Sequence, residues 1–203
     1  MGKGVRTLAL IILVVLGIGT LGTSRAFVTY AQHASLEAEP SSIYSDDNLG
    51  LSIHYPANWV VKTTLKASSV FIKAAALARF SPSATVLYSP DGLAFVVVAT
   101  HKGAVSDRLF EQIAMQILTD GAKPKGTVTF QDGDNVITIG DQDYARAGAT
   151  IVDIHAAAFS ATVMSTLATD TTVFFVSGIQ LKKPASAQHL SERDALFNSI
   201  TFS

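Results

Sequence analysis

No cysteine occurs anywhere in the 203 residues. That excludes disulfides, thiolate metal sites and the acylated cysteine of lipoprotein anchors. Charge is also sparse. Asp, Glu, Lys and Arg make up 15% of the chain and nearly cancel, leaving a formal charge of −1. No basic stripe offers phosphate contacts, so a nucleic-acid partner is not expected, and no acidic tail suggests disorder. There is no Gly-x-Ser-x-Gly elbow for a hydrolase nucleophile. None of the five histidines stands at the i,i+4 or His-x-His spacing of a metal site. These gaps leave no recognisable catalytic machinery, and the chain is expected not to be an enzyme.

What is present begins at the N-terminus. Lys3 and Arg6 flank an uncharged apolar run from Leu8 to Gly22. Fifteen helical residues rise about 22 Å, short of a ~30 Å hydrocarbon core, but Thr7, Thr23 and Ala26 to Ala31 can extend the span. Residues 1–31 therefore read either as a secretory signal cleaved near Ser24-Arg25-Ala26 or Thr29-Tyr30-Ala31, or as an uncleaved signal anchor with its basic end in the cytoplasm. Both readings carry the rest of the chain across a membrane. The protein is then single-pass in the cell membrane with an extracytoplasmic C-terminal domain, or secreted if the signal is cleaved.

Residues 32–48 are small, polar and broken by Pro40, the composition of a flexible tether. The folded domain is expected over 49–203. Leu51, Ile53 and Tyr55 alternate with Ser52 and His54, a half-buried strand that Pro56 ends. "WVVK" from Trp59 starts another strand. The segment from Ser68 to Phe80 mixes alanines with Val70, Phe71 and Ile72, and reads mostly as helix. Two β-rich runs flank Ser89-Pro90-Asp91-Gly92, a hairpin turn in which proline presets φ and glycine accepts positive φ. The run Phe95 to Ala99 is apolar throughout, as in a central strand covered on both faces.

Val105, Leu109, Ile113 and Ile117 make a helical stripe that Phe110, Ala114 and Leu118 widen, with Ser106 or Asp107 as N-cap and Gly121 at the C-terminus. Strands "TVTF", "NVITI" and "YARAGATIVDI" follow, with turns at Gln131 to Asp134 and Gly140 to Asp143. "AFSATVMSTLA" and "TTVFFVSGIQL" pair across Thr169-Asp170. A closing amphipathic helix carries Leu190, Ala195 and Leu196 inward, and "ITFS" ends the chain. Strand runs joined by tight turns, with helices at only a few places, indicate an α+β fold: a central antiparallel β-sheet with helices on its faces, preceded by the N-terminal hydrophobic helix.

The stretch "NLGLSIHYPANWVV" adds a likeness. Gly50, Ile53, Tyr55, Pro56 and Trp59 match the opening of PsbP-like domains, which read roughly "GFSIxYPxxW". "LFNSITFS" resembles that family's closing helix and strand. "ITIGDQDYARAGATIVD" is similar to its mid-domain hairpin, with Gly140, Ala145 and Arg146 at the corresponding places. The Ala-rich "FIKAAALARF" departs from the pattern as an insertion. The resemblance implies a sheet with helices on its faces and a non-enzymatic role. Relatives of that kind include extrinsic photosystem II subunits, a nuclear import factor that binds a small GTPase, and bacterial membrane-anchored proteins. This chain is most similar to the last group.

Individual residues fit that picture. His33, His54, His101, His155 and His189 read as tether, surface or edge histidines, with His54 and His155 outward in strands. Ser177 reads as a strand serine beside a bulge-forming Gly178. Asp132, Asp134, Asp141 and Asp143 occupy turns at opposite ends of one strand, about 16 Å apart at ~3.3 Å per residue, too far for one ion to bridge. "DGDN" lacks the remaining ligands of a calcium loop. Trp59 reads as a core anchor. No catalytic, cofactor-binding or metal residue is assigned, and no cofactor is expected. The expected function is a membrane-tethered or secreted binding module that engages a protein partner or supports a membrane complex. The alternative is an exported small-ligand or metal-binding protein.

Overall fold

The computed structural model describes residues 41–62, 84–121, 126–133, 135–152 and 155–203. The hydrophobic segment 1–31, the first part of the tether and the Ala-rich stretch from Ser68 to Phe80 lie outside them. The elements run β1 (Ser41–Asp46), β2 (Leu51–Pro56), β3 (Val60–Lys62), β4 (Ala84–Tyr88), β5 (Ala94–Lys102), α1 (Asp107–Gly121), β6 (Thr127–Phe130), β7 (Val136–Ile139), β8 (Gln142–Val152), β9 (Ala158–Ala168), β10 (Thr171–Gln180), α2 (Ala185–Asn198) and β11 (Thr201–Phe202). The fold is α+β, as the pattern of turns and runs indicates.

Eight strands form the main sheet in the order β3-β4-β5-β10-β9-β8-β6, with β7 also on β8. The eleven-residue β8 is long enough for two partners on one edge: Ala149 to Val152 pair with β6, and Gln142 to Ala145 pair with β7. All named pairs are antiparallel. The second sheet is small, in the order β1-β2-β11. The apolar run in β5 is central, lying between β4 and β10, because it has no polar side to offer water.

Alternation along β5, β9 and β10 separates two cores. Val97, Ala99, Ala161, Val163, Phe174 and Val176 point to one face, where α1 packs on β8 and β9. Phe110 stacks on Phe174 with ring centroids 6.5 Å apart. Val96, Val98, Met164, Val173, Phe175 and Ile179 point to the other, where Leu51, Ile53 and Trp59 join Leu196, Phe197 and Ile200. Trp59 is thus a core anchor, held by its backbone N–H donating to the Pro56 carbonyl at 2.9 Å.

Five expectations need correction. Ser41–Asp46, read as part of the tether, is a strand: its outward residues are polar enough to look like linker, but Tyr44 faces inward on the second core and the backbone pairs with β2. Leu109 is 38% exposed, because the Phe110–Phe174 stack turns α1 so that Phe110, Ile113, Ala114, Ile117 and Leu118 face the sheet. Ala195 is exposed and Phe197 buried, since α2 presents Leu196 and Phe197 inward. His155 lies in a turn after β8. Gly178 makes no bulge; the β10 register runs unbroken past it, and a Cβ there would come within 2.4 Å of the Phe95 ring, which occupies the vacant position.

Gly50 explains one residue of the opening motif. Its φ is +62°, and a Cβ there would meet the Ser203 carbonyl oxygen at 2.4 Å. The Ser203 N–H donates to the Gly50 carbonyl at 3.0 Å, so the β1–β2 turn and the strand after α2 close on each other. Only glycine supplies both the left-handed backbone and the close approach.

Candidate functional site

The most concentrated polar chemistry lies where the β4–β5 turn meets α2. The turn forms because Pro90 and Gly92 allow it, and the Gly92 N–H closes on the Ser89 carbonyl at 2.9 Å. Inside it, Asp91 Oδ1 accepts from Ser89 Oγ at 2.6 Å and from the Leu93 N–H at 3.0 Å. Ser89 Oγ also accepts from the Ala94 N–H at 2.9 Å. The other Asp91 oxygen, Oδ2, is 2.9 Å from His189 Nε2, and His189 Nδ1 is 2.8 Å from Glu192 Oε2. Glu192 Oε1 accepts from Gln188 Nε2 at 2.8 Å. One chain of hydrogen bonds thus joins a hairpin tip to a helix 98 residues away.

Both ring nitrogens of His189 face carboxylate oxygens, which only accept, so both must donate and the ring is an imidazolium. Burial alone would push its pKa down; the hydrogen bonds and charges of Glu192 and Asp91 outweigh that and raise it above the usual 6.5. Burial would likewise raise Asp91, but Ser89, the Leu93 N–H and His189 lower it to about 2. His189 is 5% exposed, a correction to its reading as a surface histidine. Sequence alone gave no signal for it, because its partner lies on a distant turn.

Ser89, Asp91 and His189 have the composition of a hydrolytic triad but the opposite wiring. The serine bonds to the aspartate and to backbone, it is fully buried, and neither histidine nitrogen is open to take a proton.

The other weighed residues are scattered. His54 is exposed on β2, and His101 lies near the end of β5. Ser177 is buried on β10 with an unpartnered hydroxyl. Asp132 and Asp141 are exposed, and Asp143 accepts from Thr138 Oγ1 at 2.7 Å across the β7–β8 hairpin. His33 and Asp134 lie outside the described residues. Among the described residues no group of three or more metal-ligating side chains is arranged to hold an ion, and no helix is long and apolar enough to cross a membrane.

Among the described residues, two concavities open on the second face of the main sheet. One, of about 300 Å³, lies under the β1–β2 turn, between Tyr44, Asp46 and Asn48 and the sheet residues Thr85, Val98 and Thr100. The other, of about 260 Å³, lies between α2 and strands β7, β8 and β9.

No protein-family model matches the sequence, and no curated protein matches it either. Solved structures do. The solution structure of cyanobacterial PsbP from Synechocystis sp. PCC 6803 aligns with a TM-score of 0.56 at 11% identity, over 90% of this chain and 99% of that one. The Ran-binding protein Mog1p of Saccharomyces cerevisiae aligns at 0.48 and 10% identity, over 81% and 96%. LpqN of Mycobacterium tuberculosis, involved in cell envelope biogenesis, aligns at 0.48 and 8% identity, over 82% and 87%. The likeness first carried by Gly50, Ile53, Tyr55, Pro56 and Trp59 therefore extends to the architecture: this chain has the PsbP-like fold.

Proposed function

We propose that the chain is a non-enzymatic binding module, tethered to a membrane by residues 1–31 or secreted after their cleavage, whose PsbP-like domain engages a protein partner. The observation that carries this reading is the wiring of the His189 cluster. The polar groups of that cluster bond to one another and to backbone, fastening α2 to the β4–β5 turn, and none is presented to a reacting molecule. The near-complete overlay on cyanobacterial PsbP supports the same reading, since almost all of that chain is matched.

The test is crosslinking of the full chain in its native membrane, followed by recovery under denaturing conditions. The same membrane or envelope protein should appear in every replicate. Recovery of background alone overturns the reading. Mass measurement of the mature protein in membrane and soluble fractions separates the tethered form from the secreted one.

A further inference from the structure

The second face of the main sheet changes character halfway across. Under β5 and β10 it is apolar, with Val96, Val98, Phe175 and Ile179 buried. Under β8 and β9 the same face carries Arg146, Ser160, Thr162 and Thr166, interrupted by Met164. The helix α2 packs on β2 and β10, so it closes the apolar half and leaves the polar half open along its flank. The concavity of about 260 Å³ is that opening. Ile137, Ile139, Met164 and Phe197 give it apolar walls, and Arg146 and Arg193 bring it two guanidinium groups.

The two arginines are not equivalent. Arg193 is committed: Nε and Nη2 donate to Asp194 Oδ1 at 2.9 and 2.7 Å, and Nη1 reaches Ser160 Oγ at 3.4 Å. Its charge is matched by Asp194. Arg146 is half-buried, and no side chain among the described residues accepts a hydrogen bond from its guanidinium or pairs with it. Among the described residues that line it, the cavity therefore has two cationic side chains, Arg146 and Arg193, against one carboxylate, Asp194. The C-terminal carbonyls of α2, which would oppose an anion, are already engaged: Leu196 O accepts from the Ser199 N–H and hydroxyl, and Phe197 O accepts from the Ile200 N–H. A planar, fixed fork of donors set against apolar walls matches a carboxylate on a small apolar body. The volume of about 260 Å³, just below the usual range of ligand sites, limits that body to a few carbons or a single ring.

We propose that this cavity binds a small apolar carboxylate, with Arg146 taking the carboxylate in a bidentate pair and Ile137, Ile139, Met164 and Phe197 covering the apolar part. The proposal does not rest on the protein-partner reading. Either a free acid or the carboxyl end of a peptide carries this chemistry.

The test is methyl NMR on the full chain, titrated with phenylacetate, with N-acetyl-leucine, and with the neutral phenylacetamide. Phenylacetate or N-acetyl-leucine should shift the methyl signals of Ile137, Ile139 and Met164, with a dissociation constant on the order of a millimolar for so small a ligand. Tighter binding of phenylacetate indicates a free acid, and tighter binding of N-acetyl-leucine indicates a chain terminus. Phenylacetamide should bind at least about tenfold more weakly, as should either acid to Arg146→Gln, one decade being the scale of a single lost charge-assisted contact. Arg146→Lys should fall between, and Arg108→Gln, on the exposed side of α1, should change nothing. The wild-type titration alone is decisive, whether or not the Arg146 variants fold. Shifts elsewhere, no shifts with either acid, or equal response to acid and amide would overturn the proposal.

Discussion

The two faces of the main sheet are closed in different ways. Among the described residues the first is covered by one helix, α1, whose buried residues Phe110, Ile113, Ala114, Ile117 and Leu118 fall within a single nine-residue span. Its core is mostly apolar, with the buried hydroxyls of Ser165 and Thr172 at its margin. The second is covered by pieces from both ends of the domain: β1 and β2, Trp59, α2 and β11. That face holds the His189 cluster, both concavities, and the buried Tyr144 hydroxyl and Trp59 indole N–H that lack hydrogen-bond partners. A face sealed by one amphipathic element leaves little room for polar chemistry. A face assembled from distant segments needs polar fasteners and leaves seams, and seams are where ligands fit.

Phe174 and Phe175 allow the sharpest challenge to this contrast, because they are neighbours on β10 facing opposite cores, 2% and 0% exposed. Each change to Ala should cost about 3–5 kcal/mol in urea denaturation. Native-state hydrogen exchange should then separate them, Phe174→Ala loosening α1 and Phe175→Ala loosening α2. Identical exchange patterns would mean that the two faces are one cooperative unit.

His189→Gln comes next, with a loss on the order of 1–3 kcal/mol for a buried hydrogen-bonded group. The pH dependence has a defined shape. His189 has a folded pKa raised above 6.5, so its contribution is complete below 6.5 and fades as pH rises through the folded value. Asp91 is lowered from 3.8 to about 2, so its contribution is complete above 3.8 and fades as pH falls toward 2. The gap in stability between wild type and variant should therefore be widest between pH 3.8 and 6.5 and narrow on both sides. A gap that grows toward pH 9 would contradict the imidazolium assignment.

Gly50→Ala should destabilise by more than ~1 kcal/mol, from the strained positive φ and the collision with the Ser203 carbonyl. Thermal melts should register it, together with early exchange at β11. The smallest effect should have the opposite sign. Tyr144 is fully buried, its hydroxyl unpartnered, and its pKa is raised to about 12 by burial and by the charge of Asp141. Tyr144→Phe removes that stranded hydroxyl and should be neutral or stabilising by up to ~1 kcal/mol. A clear loss would reveal a bonding partner for the hydroxyl.

The same contrast governs what could be read from the sequence. The β4–β5 and β9–β10 hairpins, the central place of β5 and the existence of α1 follow from local period and turn chemistry, and the structure has them where expected. The rotation of α1 did not follow, because Leu109 and Phe110 are equally apolar and only the distant Phe174 ring decides between them. The strand β1 was hidden because its pairing with β2 lets a mostly polar hexapeptide extend. His189 looked like any helical surface histidine; nothing near it in sequence announces Asp91. Arg146 was visible as part of a hairpin motif, but its cavity exists only once α2 crosses the sheet. The sequence reading thus holds for pieces closed by their own neighbours and weakens where closure comes from far along the chain.

The long strand β8 and its neighbours have a consequence for how the chain reaches this arrangement. Strands β7, β8, β9 and β10 form an unbroken meander from Val136 to Gln180, each beside its successor, so four-strand pairing needs only short loops to close. The β4–β5 hairpin must instead find β10 across the 68 residues that separate Lys102 from Thr171. We expect the C-terminal meander to gain amide protection first and the β5–β10 seam last, in pulse-labelled refolding. Simultaneous protection of both would show that the order of events ignores the distance along the chain.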